Sequence, residues 1–376
     1  MNTTREIDLE DAEGLLAADR EGLLRAASSA GAQVRAVAAA VDEGALNSLR
    51  AGDRARSVIW VAGPGTAETA GALLAATLGG AASQPIVVAS EAPPWVGPLD
   101  VLIVAGDDPG DPALVDAAAA GVRRGARVAI VAPYEGPLRD STAGRAAVLE
   151  PRLWVPAEFG LCRYLAAGLA SLQTVDRRMN VDLASLADEL DAEALRDSAG
   201  RELFTNPAKT IAARISGRRV ALTGDCAATL ALARHGSSTL LRIAHQMVAA
   251  AGLADAVVAL RAFNGFQGFR GFQDAPSSVD ALFHDEEIDG PLPERLRVLA
   301  LTLAEDRTVV AARIAGLDDI YLIAAEDVPD VPDPAVGLAG SAALRAPTGA
   351  ERAEHQMAIL AVRLEMAAVY LRLVRG

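Results

Sequence analysis

Lysine occurs once in this chain, at Lys209, cysteine twice, and aromatic residues make up 4% of its 376 positions. Cys162 and Cys226 stand in unrelated contexts, so neither a disulfide framework nor a CxxC pair can be drawn from them, and both are expected as small buried hydrophobes. The four histidines, His235, His245, His284 and His355, lack the HExxH or paired Cys/His spacing that metal sites need, so no metal is expected. The longest apolar runs, such as Val101 to Ala105 and Val298 to Leu303, fall far short of the roughly 20 residues a membrane helix requires. The first eight residues carry acids and no apolar segment, which excludes a secretory signal and points to the cytoplasm. With 49 acids against 35 bases the net charge is -14, and no basic patch is set aside. Nucleic acid and anionic membranes are therefore excluded as partners.

Half the residues are hydrophobic, in short Ala, Val and Leu runs broken by Gly and Pro, the profile of a globular α/β protein long enough for two cores. Residues 1–50 place apolar side chains at helical spacing and form a helical arm. A first set of strands and helices follows in 51–181. It includes Ser57 to Ala62, Pro85 to Ser90, Asp100 to Ala105, a helix over 111–124 and Ala126 to Val131. Residues 182–216 read as connecting helices. A second set over 217–376 includes Arg218 to Thr223, Asp255 to Ala259, Arg295 to Leu301 and Asp319 to Ala324 as strands, then a loop over 326–350 and a helix from Glu351 to Arg375. Strands alternating with helices predict parallel sheets built from right-handed βαβ units. The last helix is apolar around much of its circumference and must be buried on several sides.

Two segments stand out for chemistry. The loop Gly63-Pro64-Gly65-Thr66 between strand and helix offers backbone N–H groups for a phosphate, but it is neither a Walker loop nor a dinucleotide fingerprint. The stretch Phe263 to Phe272 holds four of the seven phenylalanines at a period of three, and is expected as a loop that packs on itself or on a partner.

The text Asn206-Pro-Ala-Lys-Thr-Ile-Ala-Ala-Arg-Ile-Ser-Gly-Arg-Arg-Val-Ala-Leu-Thr-Gly224 resembles the start of the second domain in bifunctional phosphoglucose/phosphomannose isomerases, which carry two SIS (sugar isomerase) domains. Val61 to Leu74, Ala92 to Gly97 and Ala368 to Gly376 agree in place and order, so the resemblance covers about residues 50–376. The chain is also similar to the actinobacterial TobH-type group of that superfamily. The resemblance implies two three-layer α/β/α sandwiches, a homodimer, no cofactor, and an interconversion of glucose, mannose and fructose 6-phosphates. It also implies a catalytic Glu where this chain has Ala249, and a terminal Lys beyond the point where this chain stops. The family's phosphate-binding serines are replaced by the Gly63 loop with Ala67 and by Ala105-Gly-Asp107-Asp108-Pro-Gly110. At about 4 Å and an effective dielectric near 20, each of those carboxylates would repel a phosphate charge by roughly 4 kcal/mol. The expected ligand-binding residues are Gly63, Gly65, Thr66, Thr69, Asp107 and Asp108.

Three functions stay open on the sequence: a non-catalytic protein that binds a sugar or sugar-phosphate derivative in hexose phosphate metabolism, a divergent isomerase using Glu68, Asp107 or Glu354 with His355, and a structural or assembly protein. The first is the expectation, because the changes fall at three separate functional positions.

Overall fold

The structure is a computed structural model that describes residues 7–50, 54–269, 295–327 and 352–375, without the side chains of 263–269. Three helices open the chain, α1 (Ala12–Ala18), α2 (Leu23–Ala27) and α3 (Ala30–Asp42). The first sheet follows as β1 (Ser57–Ala62), α4 (Thr66–Leu78), β2 (Ile86–Ala89), β3 (Asp100–Ala105), α5 (Pro112–Arg123), β4 (Arg127–Val131), α6 (Gly136–Thr142) and β5 (Ala147–Val148). Helices α7 (Leu161–Val175), α8 (Leu183–Arg196) and α9 (Pro207–Ile215) lead to the second sheet. That sheet comprises β6 (Arg219–Gly224), α10 (Ala227–Ala244), β7 (Ala249–Gly252), α11 (Leu253–Phe269), β8 (Leu296–Leu301), α12 (Arg307–Ile314) and β9 (Ile320–Ile323), and α13 (Ala353–Arg375) follows it.

Every strand pair described is parallel, in the orders β2-β1-β3-β4-β5 and β7-β6-β8-β9. The first four strands of one sheet thus repeat the order of the other. Each sheet has helices on both faces. Residues such as Ile59, Val61, Leu102 and Val104 face α5 and α6, while Trp60, Val101 and Ile103 face the shared core with α4 and α7. In the second sheet Val220 and Leu222 face that same core, and Ala300 and Val298 face α11 and α12. The strict alternation explains why these strands read as unbroken apolar runs: both faces are covered.

Helix α13 lies in the shared core, buried without interruption from His355 to Leu371 against α10, α9, α8, α4 and α7, with the arm helices α1 and α2 beside it. Its all-round burial is therefore met within one chain, and its apolar surface gives no argument for a dimer contact. Helix α4 packs on both α7 and α10, where Gly71 and Gly168 admit the indole of Trp60 between α4 and α7. A Cβ on Gly168 would stand 2.2 Å from Leu74 Cδ1 and 3.1 Å from Trp60 Cζ3. Gly168→Ala is expected to cost about 1–3 kcal/mol through overpacking, although Ala exceeds Gly in helix propensity by about 1 kcal/mol. Urea unfolding that shows a gain in stability would contradict this packing.

Two expectations are corrected. Asp255 to Ala259 is part of helix α11, not a strand: Leu253, Ala256, Val257 and Leu260 turn toward the second sheet at helical spacing. The same helix runs on to Phe269, so Phe263 to Phe269 are helical and not a loop. A spacing of three is itself a helical neighbour spacing, and the helix-forming run before it propagates. Residues 270–272 of that stretch lie outside the described residues, as does His284.

Candidate functional site

In the first sheet the chain leaves β1 toward β2 and leaves β3 toward β4, so the carboxyl ends of β1 and β3 form the crevice where open parallel sheets bind ligands. Backbone bonds continue the sheet into the loops there: Gly63 N donates to Ala105 O at the end of β3 at 2.9 Å, and Gly106 N to Val131 O at the end of β4 at 3.2 Å. Gly65 caps α4 at φ 101°, ψ -134°, a backbone conformation open to glycine, and supplies no side-chain cap bond to the first turn of α4.

A third segment, Pro156 to Tyr164, closes over this end of the sheet. Thr66 is buried and its hydroxyl donates to Ala157 O at 3.1 Å, while the Thr69 hydroxyl donates to Gly65 O at 3.1 Å. Both hydroxyl protons of the expected phosphate cradle are thus directed to backbone carbonyls. Asp107 turns onto α7, where it accepts from Arg163 Nη2 at 2.9 Å and from the Tyr164 hydroxyl at 2.7 Å. Burial, followed by the nearby carboxylate and opposed by Arg163, raises the Tyr164 phenol above its ordinary value, so it stays a donor. Arg163 Nη1 is buried without a hydrogen-bond partner. Asp108 is exposed and accepts from Gly110 N at 2.7 Å, and Asp111 caps α5 through Ala113 N. Glu68 stands exposed on the first turn of α4.

The second half contributes one group that sequence reasoning missed. Arg242, near the end of α10, brings Nη1 to 4.0 Å from where a Cβ on Gly65 would stand, and its Nη2 donates to Glu158 Oε1 at 2.5 Å. A lone exposed arginine on an amphipathic helix carries no signal in sequence; only the packing of α10 on α4 gives it a place.

Gly63, Gly65, Thr66, Thr69, Glu68, Asp107 and Asp108 therefore share one end of the first sheet. The other candidates belong elsewhere. Ala249 opens edge strand β7 opposite Ala221. Glu354 and His355 begin α13, where His355 Nδ1 meets Glu189 Oε2 of α8 at 3.0 Å and the neighbouring Gln356 accepts from Ala304 N in the loop after β8. His235 is buried against Glu365 at 3.0 Å, and burial raises that carboxyl despite the histidine beside it. Lys209 spends its ammonium on Ala199 O and Arg201 O, both at 2.8 Å. Cys162 is buried as expected, and burial pushes its thiol well up. Cys226 is only partly buried and instead caps α10 with Thr229. Among the described residues no group of three metal-ligating side chains occurs, and no helix is long and apolar enough to cross a membrane.

No family profile and no curated protein matches the chain. Solved structures do. A protein assigned as a phosphosugar isomerase from Clostridium difficile 630 superposes with a TM-score of 0.59 at 13% identity, covering 94% of this chain and 93% of that one. The tagatose-6-phosphate ketose/aldose isomerase of Escherichia coli gives 0.56 at 14% identity, with 98% and 94% covered. The C-terminal domain of glucosamine-fructose-6-phosphate aminotransferase from Francisella tularensis gives 0.53 at 11%, with 93% and 96% covered. The fold is that of the SIS-type phosphosugar isomerases over nearly the whole length.

Proposed function

We propose that this chain binds a sugar derivative in the crevice between the Gly63 and Gly106 loops and does not isomerise hexose 6-phosphates. The fold supports a sugar-related ligand. One observation carries the non-catalytic reading: apart from Glu68, exposed on the first turn of α4, the candidate groups are committed to the protein itself. Moving a proton between C1 and C2 requires a base within reach of the substrate, and holding a phosphate requires free donors. Here Asp107 is held by Arg163 and Tyr164, Glu158 by Arg242, and the Thr66 and Thr69 hydroxyls by carbonyls. Glu354 and His355 stand apart from the crevice at the start of α13, where His355 meets Glu189 of α8. The division into two SIS-like halves at 51–181 and 217–376, descent from the glucose and mannose 6-phosphate isomerase lineage, and a homodimer belong to the same proposal.

The test is proton exchange. Incubation of purified protein with fructose 6-phosphate or mannose 6-phosphate in deuterated water is expected to give no deuterium at C1 of the ketose or C2 of the aldose beyond the protein-free rate. Incorporation that scales with protein concentration would establish an active isomerase and overturn the reading. Sedimentation of a monomer at micromolar concentration would remove the homodimer.

A further inference from the structure

Two guanidinium groups border the crevice among the described residues, and each is neutralised by a carboxylate of the chain itself. Arg163 is paired with Asp107 and Arg242 with Glu158. Beyond these pairs the same edge carries Glu68, Asp108 and Asp111, so acids outnumber bases there. The Glu158 pair is the informative one. Its two partners come from different halves of the molecule, one on the segment that closes over Thr66 and one on α10, and both side chains keep partial solvent access, 25% for Glu158 and 47% for Arg242. Ala157 beside it takes the Thr66 hydroxyl. One short segment therefore takes the hydroxyl proton and neutralises the guanidinium that an anionic ligand would otherwise use.

We infer that the crevice takes an uncharged sugar derivative and that Glu158 determines this specificity, acting as a built-in carboxylate that holds Arg242 against phosphate-bearing ligands. The inference rests on the proposal that the crevice is the sugar site. A dianionic phosphate entering beside Gly65 at Arg242 Nη1 meets a guanidinium whose charge is already balanced by Glu158 at Nη2 and is repelled by that carboxylate, which costs affinity, whereas a hydroxyl of a neutral sugar can bond to either partner without breaking the pair.

The experiment titrates glucose, glucose 6-phosphate and inorganic phosphate into the wild type, Glu158→Gln and Glu158→Gln/Arg242→Gln, reading the Gly65 and Thr66 amides by NMR. The wild type is expected to bind glucose 6-phosphate no more tightly than glucose. Glu158→Gln, nearly isosteric, is expected to bind glucose 6-phosphate and inorganic phosphate roughly ten-fold more tightly, with glucose unchanged, and the double variant is expected to lose that gain. Glu158→Ala serves as a second variant, and unchanged unfolding midpoints show that the fold is retained. A wild type that prefers glucose 6-phosphate, or a folded Glu158→Gln with no gain, overturns the inference while leaving the sugar site standing. Amides unmoved by every probe in every variant overturn the sugar site and this inference with it.

Discussion

Replacing Arg363 by Met is expected to destabilise the protein by about 3–5 kcal/mol, the cost of leaving one member of a buried ion pair without its partner. Arg363 sits midway along α13 and is 1% exposed. Its Nε and Nη2 grip the two oxygens of Glu193 on α8, while Nη1 and Nη2 donate to Ala324 O and Ala325 O, both at 2.7 Å, at the end of β9. One planar fork thus ties the central helix to the connector and to the second sheet. Glu193 is fully buried and among the described residues keeps one other cation, Arg196, at 2.6 Å. Removing Arg363 also takes the donor from the Ala325 carbonyl, at a desolvation cost of its own, while Ala324 O keeps its bond from Asp327 N at 3.1 Å. Arg363→Lys is expected to recover only part of the loss, because an ammonium cannot reproduce the bidentate geometry. Arg363→Met with Glu193→Met is expected to be less damaging than Arg363→Met alone, since an apolar pair leaves no buried charge. Urea unfolding of the four proteins checks this, and a loss below about 1 kcal/mol for the single Met variant would show that Arg196 alone suffices.

Much of this fold is legible in the sequence, and the illegible parts have physical causes. Runs such as Asp100 to Ala105 announce buried parallel strands because both faces of each sheet are covered. Asn206-Pro207 announces the start of α9, and Asn206 Oδ1 accepts from Lys209 N at 2.9 Å as a cap should. Strand β7, by contrast, is Ala-Ala-Ala-Gly, with no side chain that favours a strand; its pairing with β6 alone makes it one. Gly63, Thr66 and Asp107, which the sequence singles out, share one end of the first sheet. The sequence carries no direction for the side chains. Asp107 reads as a carboxylate facing a ligand, yet it is turned onto Arg163 and Tyr164, residues 56 and 57 positions away. Such a pairing is a property of the tertiary fold.

Asp197 supplies the second large effect, and it depends on pH. This carboxyl, at the end of α8, is fully buried, accepts from Ala208 N at 2.9 Å through Oδ1 and leaves Oδ2 without a partner. Burial, with the charge of Glu193 beside it, pushes Asp197 up to about 8 from its ordinary 3.8, against the opposing pull of the Ala208 N–H, Arg363 and Arg196. Between those values the folded protein holds a proton that the unfolded chain has released, so the folded state binds more protons and stability falls as pH rises. The contribution is complete below about pH 4 and is lost by the time pH has risen through about 8. Integrated over that window it is on the order of a few kcal/mol. Asp197→Asn keeps the acceptor for Ala208 N and has no proton to lose. The Asn variant is therefore expected to exceed the wild type by about 1–2 kcal/mol at pH 5 and by a few kcal/mol more at pH 9. Urea unfolding at pH 5, 7 and 9 reads the difference directly. Parallel curves for the two proteins across that range would mean that Asp197 is ionised in the folded state and that Arg363 and Arg196, not the buried surroundings, set its charge.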